Sequence, residues 1–228
     1  MVQHYSWGGS AFIPALLQQE NTAQKPFAEY WLGAHPKAPS VVVNGEESTL
    51  DQLIASSPEE ILGKRVQQQF GSLPYLLKIL DVRQMLSIQV HPSIASAIKG
   101  YAEENEKGIP VSAPHRNYKD QNHKPELMAA LSDFWLLHGF KAEEGIRKVF
   151  ETVPEFSFLQ ETFAKNGYHE LYEKVMTLPQ EKVDKALDPL MQKVMPLYRE
   201  NKLAKSDAHF WAARAVETFC KDGHYDRG

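Results

Sequence analysis

Two short segments carry side chains that could hold a metal ion and do chemistry with it. In Gln89-Val90-His91, residues i and i+2 of a strand project from one face, so an amide oxygen and an imidazole nitrogen can reach one ion together. Asp120-Gln121-Asn122-His123-Lys124-Pro125-Glu126 adds a carboxylate at Glu126. Pro125 drives Lys124 toward an extended backbone, which sets Lys124 and Glu126 on one side of the chain. Such a mixed nitrogen and oxygen set suits zinc, manganese and related ions rather than a metal that selects thiolates. A cation beside a metal carboxylate also sits well where substrate oxygens or a phosphate must be bound. Taken singly, each segment is also what an edge strand or a solvated loop offers, since a histidine at a strand end is usually only hydrogen-bonded. Taken together they point to a catalytic divalent-metal site.

The elements that must position these residues fall into two textures. Residues 1–140 are rich in Gly, Pro and short apolar runs. Val41-Val42-Val43 reads as a strand with Asn44-Gly45 as its turn. Residues 76–82 and 85–91 read as two more strands, the second ended by Pro92, which cannot donate to a ladder. Residues 126–140 are apolar enough for one or two buried strands, although the start of the run fits a helix as well. A helical excursion is expected near 49–70, where Ser57-Pro58-Glu59-Glu60 supplies a cap, a proline at the first helical position and acids in the first turn. From 141 to 221 the period changes to 3.6, with amphipathic helices expected over 141–151, 156–165, 168–177, 180–201 and 207–221. In the fourth, Val183, Leu187, Leu190, Val194 and Leu197 make the apolar stripe, and Pro189 and Pro196 are expected to kink or divide it. The fold class implied is mainly β with a helical insert: a β-rich catalytic domain over 1–140, a helical domain over 141–221, and in 222–228 a turn leading back toward further chain.

Composition narrows the partners. A net charge of −4 with neutral histidines gives no bulk attraction for nucleic acid or an anionic membrane. Hydrophobic residues at 43% and charged residues at 24% are ordinary for a soluble globular chain of 228 residues. Cys220 is the single cysteine, so an intrachain disulfide is excluded and a reduced, cytoplasmic setting fits. Neither a signal peptide nor a membrane-spanning run is expected.

Several blocks match one family in its order. Leu86-Ser87-Ile88-Gln89-Val90-His91-Pro92 and Tyr118-Lys119-Asp120-Gln121-Asn122-His123-Lys124-Pro125-Glu126 closely resemble type I phosphomannose isomerase. Tyr5-Ser6-Trp7-Gly8, the run from Pro26 through Glu29, Trp31 and His35 to Pro36, and Pro74-Tyr75-Leu76-Leu77-Lys78-Ile79-Leu80 resemble its earlier segments. The resemblance implies a cupin-like (jelly-roll) β-barrel with one zinc, interconverting mannose 6-phosphate and fructose 6-phosphate through an enediolate. It implies Gln89, His91 and Glu126 as metal ligands, with a fourth ligand, a histidine, expected beyond residue 228. None of His138, His169, His209 or His224 stands in the Pro-His-Ala-Tyr-like segment where that histidine belongs. The family's later catalytic acid and phosphate-facing arginine are likewise expected outside these residues, so the barrel and the site are expected to be incomplete here.

Lys124 is the first candidate for proton transfer or for binding a sugar oxygen, because a lysine near a metal ion can have its pKa lowered. His35 is a candidate acid or base for ring opening. Ser87, on the same side as Gln89, is a candidate for a phosphate or a hydroxyl, and Trp7, Glu29 and Lys78 are candidate pocket walls. Trp7 and Trp31 serve equally well as core, and Lys78 as an exposed strand residue. His115 and Arg116 read as surface loop, and His138 as a core histidine. A non-enzymatic metal- or sugar-binding module, a different sugar-phosphate isomerase or epimerase, and an inactive N-terminal piece of the isomerase remain as alternatives.

Overall fold

Short strands and short helices make up the ordered elements of the first 86 residues. They are β1 (Val2–Gln3), α1 (Phe12–Leu16), β2 (Glu29–Leu32), β3 (Val41–Val43), β4 (Glu47–Thr49), α2 (Leu50–Ser56), α3 (Pro58–Leu62), α4 (Lys64–Phe70) and β5 (Leu77–Leu80). The computed structural model describes residues 1–43 and 47–227. These divide into two units, Met1–Leu86 with Ala204–Cys220 and Ser87–Leu203 with Lys221–Gly228.

In the first unit β2 is the centre of an antiparallel sheet ordered β1-β2-β5. The register sets Trp31 opposite Lys78 and Glu29 opposite Leu80. Period-two alternation then places Glu29, Trp31 and Lys78 on one face. The chain before it is held by close backbone approach. Gly9 N–H donates to the Asp81 carbonyl at 2.9 Å, and Phe27 N–H donates to the Gly9 carbonyl at 2.7 Å. A Cβ on Gly9 would run into the Asp81 carboxylate, and one on Gly8 into the Ala28 backbone. This accounts for the glycine pair after Trp7. β3 and β4 form a separate two-stranded ladder. The Asn44-Gly45 turn expected between them lies outside the described residues. α3 starts on Pro58 with Glu59 and Glu60 in its first turn, as expected.

The second unit is helical. α5 (Ile94–Glu106), α6 (Glu143–Thr152), α7 (Ser157–Thr177) and α8 (Gln180–Arg199) supply it, while α9 (Ala208–Phe219), capped by the Asp207 side chain on His209 N–H, belongs to the first unit. α7 joins two expected helices across Gly167, whose φ of 72° breaks the helical path. α6 and α7 bury Phe150, Leu159 and Phe163, with Ile146, Phe156, Tyr168, Leu171 and Val175 packed around them. Along α8, Val183, Leu190, Met191 and Val194 are buried, whereas Leu197 is exposed. α8 stays one helix through Pro189 and Pro196. The two prolines are a heptad apart on the exposed side, so the carbonyls that lose their N–H partners face water.

Four sequence expectations are corrected. The mainly β class gives way to helix, which dominates the described residues, whose five strands are two to four residues long; the expected barrel is an incomplete one, and the described residues close none. Residues 85–91 form no strand, and 126–140 form neither strand nor buried core. Leu127 is 100% exposed and Val90 78%. His138, read as a core histidine, is exposed as well. A strand exists only against a ladder partner and an apolar face only against a covering layer, and the described residues give these segments neither.

The aromatic core of α6 and α7 is the main apolar support of this helical pair. Replacing Phe163→Ala removes a ring in edge contact with Phe150 at 5.9 Å and Tyr168 at 5.1 Å between centroids. The expected cost is about 3 kcal/mol or more, read as a fall in the urea midpoint. A loss below about 1 kcal/mol would contradict this packing.

Candidate metal centre

His91 and Glu126 meet in the second unit, with His91 Nε2 3.8 Å from Glu126 Oε1. That is longer than a hydrogen bond. Two ligands of one tetrahedral ion, with bonds of about 2.0–2.2 Å, stand roughly 3.4 Å apart, so a closure of a few tenths of an ångström would let both reach one ion. The donor chemistry and this separation therefore fit a divalent metal. The side chains are 31% and 66% exposed, so water can fill any remaining coordination positions. Gln89 and Lys124 lie on the same stretches of chain and are exposed, with Ser87 at the start of the first stretch.

What holds the two stretches is α5. Its N-terminus follows His91 by three residues, and the Ser93 hydroxyl caps it by accepting from Ser96 N–H at 3.2 Å. The segment leading to Lys124 and Glu126 is fastened to the middle and end of the same helix. Arg116, read from sequence as surface, is 3% exposed. Its Nε lies 3.0 Å from Glu104 Oε2 and donates to the Tyr118 carbonyl at 2.6 Å. Its Nη1 donates to the Ile109 carbonyl at 2.5 Å, and its Nη2 to the Asn105 side chain at 2.9 Å and the Tyr101 carbonyl at 3.3 Å. The Glu104 carboxylate accepts from the Tyr118 and Asn117 backbone N–H groups at 2.8 and 3.1 Å. Desolvation pushes the Glu104 pKa up, but the two backbone amides and the Arg116 charge outweigh it and leave the carboxyl below its ordinary value. The Tyr118 ring lies over Gly100, where a Cβ would collide with it. Sequence reasoning passed over Glu104 and Gly100 and misplaced Arg116 on the surface. The one available signal was a glycine inside an otherwise helical pattern.

The remaining candidates stand in the first unit. Glu29 accepts from the Trp31 indole N–H, and Lys78 Nζ lies 3.4 Å from the Glu29 carboxylate and 4.8 Å from the Trp31 ring centroid. Trp31 is core, as one reading of the sequence had it, and it also anchors this charged pair. His35 packs edge-on to Trp31 at 4.9 Å and accepts from Lys37 N–H on Nδ1 at 3.1 Å. Trp7 is half-buried, stacks on Tyr5, and its carbonyl accepts from the Arg83 and Gln84 amides. Burial, then the Glu29 charge, push the Tyr5 hydroxyl above its ordinary value. In the second unit His224 lies 2.8 Å from an Asp184 oxygen, a pairing that ties the C-terminal turn to α8. The described residues also hold His169, Glu170 and Glu173 close together, all exposed on one helix surface.

An imidazole and a carboxylate near bridging distance, on stretches fastened to one helix, define a candidate divalent-metal centre. Residues 1–143 match the model of the phosphomannose isomerase type I catalytic domain, and the chain belongs to that family. The mannose-6-phosphate isomerase of Escherichia coli (strain K12) is 40% identical over 193 residues, covering 82% of this chain and 49% of that protein. The human enzyme is 38% identical over 169 residues, 69% of this chain and 37% of that one. A solved mannose 6-phosphate isomerase from Salmonella typhimurium, bound to its substrate fructose 6-phosphate and to zinc, superposes with a TM-score of 0.83 at 34% identity, over 95% of this chain and 55% of that one. The chain thus spans about half the length of the E. coli relative.

The Glu104 carboxyl makes a pH signature. Its folded pKa lies below the ordinary 4.5, so the stability it contributes is fully present above about pH 4.5. That contribution is lost as pH falls through the lower folded value. Glu104→Gln should therefore be less stable than the parent at pH 7, with the gap narrowing below about pH 4.5. Urea midpoints at pH 7, 5 and 3.5 check it, and a gap independent of pH would rule it out.

Proposed function

We propose that this protein is a zinc-dependent mannose-6-phosphate isomerase that interconverts mannose 6-phosphate and fructose 6-phosphate, acting in the cytoplasm on a sugar phosphate rather than on nucleic acid or a membrane. The observation that carries the reading is His91 and Glu126 at 3.8 Å, inside the stretch that matches the family's catalytic domain. Gln89, His91 and Glu126 would hold the ion, and further chain would supply a histidine. Likewise the cupin-like barrel belongs to the complete protein, with residues 1–140 as part of it and 141–221 as the helical domain. The described helices from α6 onward support that division.

The reaction moves a proton between C2 and C1 while the carbonyl and hydroxyl exchange places. Bound zinc would supply Lewis-acid stabilisation of negative charge developing on substrate oxygens. Lys124, exposed and two residues before Glu126, carries or relays a proton, or binds a sugar oxygen. His35 would exchange a proton with the substrate during ring opening. Ser87 binds a phosphate or sugar oxygen, and Lys78, Glu29 and Trp7 serve as binding walls. The Lys78 ammonium, already engaged with the Glu29 carboxylate, suits a binding rather than a basic role.

The test is a coupled assay of mannose 6-phosphate turnover on the full-length protein with zinc, run beside a metal analysis. Glu126→Ala should lose bound zinc, and kcat should fall by at least about a hundredfold. A full-length protein that takes up zinc yet turns over no mannose 6-phosphate would defeat the reading and favour a sugar- or metal-binding module.

A further inference from the structure

We infer that Glu104, Arg116 and Gly100 form a positioning clamp that fixes the distance between the two ligand-bearing stretches, using α5 as the spacer. The stretch with Gln89 and His91 runs directly into the capped start of α5, and the stretch ending on Glu126 is fastened to α5 by three separate contacts. These are the Arg116–Glu104 ion pair, the Asn117 and Tyr118 amides on the Glu104 carboxylate, and the Tyr118 ring on Gly100. Residues 119–126 form neither helix nor strand, so the tether at 116–118 is the last fixed point before Glu126. A metal pair needs its donors held to within about half an ångström. α5 is the ordered element to which both stretches are attached.

The chemistry of the clamp suits positioning. A guanidinium cannot shed its proton, so burying Arg116 forces each of its donors onto a fixed acceptor. The five oxygens it meets come from Tyr101, Glu104, Asn105, Ile109 and Tyr118. Its position therefore specifies the path of the chain over α5 in a way a single apolar contact would not. The clamp's contacts are with α5 and with residues 109–118, so its influence on a bound ion runs through backbone placement.

The inference rests on the metal reading above for one arm of its test and stands apart from it in the other. In the first arm, zinc affinity of the full-length protein is measured by chelator competition at a temperature where Glu104→Gln and Arg116→Lys are both folded. Either variant should weaken zinc binding by about tenfold or more, the range for groups that orient metal ligands. A merely structural role would lower the melting temperature and leave the affinity unmoved. In the second arm no metal is present. Nitroxide spin labels are attached at His91→Cys and Glu126→Cys in a Cys220→Ser background, and the distribution of distances between them is measured by electron spin resonance with and without Glu104→Gln. The distribution should widen about twofold when the clamp is loosened. Parent protein that binds no zinc, with the distribution still widened by Glu104→Gln, would overturn the metal reading and uphold the clamp. A distribution unchanged by Glu104→Gln would overturn the clamp, whatever the zinc result.

Discussion

A buried guanidinium is the constraint on which the rest of the second unit's N-terminal part depends. Arg116 keeps its charge at any pH the protein meets, so taking it out of water is costly unless its N–H groups find acceptors and its charge a partner. The fold meets that demand with three backbone carbonyls, one side-chain amide and one carboxylate. Glu104 meets the reciprocal demand with two backbone amides. Such a pair is weak evidence for net stability and stronger evidence for uniqueness. Few alternative paths of residues 107–118 over α5 would satisfy both ions at once.

The same logic explains what could and could not be read from the sequence. The helices from 143 onward were legible because their signals are local: Val183, Leu190 and Val194 repeat on one face within a single helix. β5 and β3 were legible as β-branched and aliphatic runs bounded by turns. Residues 85–91 and 126–140 carry equally apolar runs, yet a strand is a property of two segments. Nothing in Ile88, Val90 or Leu127 says which chain will pair with them. Arg116 fails for a related reason. Its burial depends on Glu104, on the preceding helix, and on a glycine at 100 that opens room for a tyrosine at 118. No window around His115-Arg116-Asn117 reveals it.

The metal trio shows the opposite imbalance. Gln89, His91 and Glu126 were named from donor types and from family resemblance, and setting Gln89 beside His91 by alternation assumed a strand that residues 85–91 do not form. For the approach of His91 to Glu126 the sequence offered donor types and resemblance but no geometric cause. Period-two alternation brings neighbours on one strand together, whereas here two stretches far apart in sequence converge because both are attached to one helix.

The charged triad of the first unit is where the strand argument holds. Glu29 and Trp31 are two apart on β2, and Lys78 sits opposite Trp31 on β5. Alternation and register together dictate that an indole, a carboxylate and an ammonium share one face. The indole N–H and the lysine both address the same carboxylate, and the aromatic ring lies under the cation. A carboxylate held by two donors loses much of its freedom to rotate, and an ammonium attracted by both a carboxylate and a ring face is confined to the space between them. Strand register can thus fix polar groups as firmly as α5 fixes His91 and Glu126. The fixed element differs: a ladder whose partner is present among the described residues in one case, and a helix that is its own scaffold in the other.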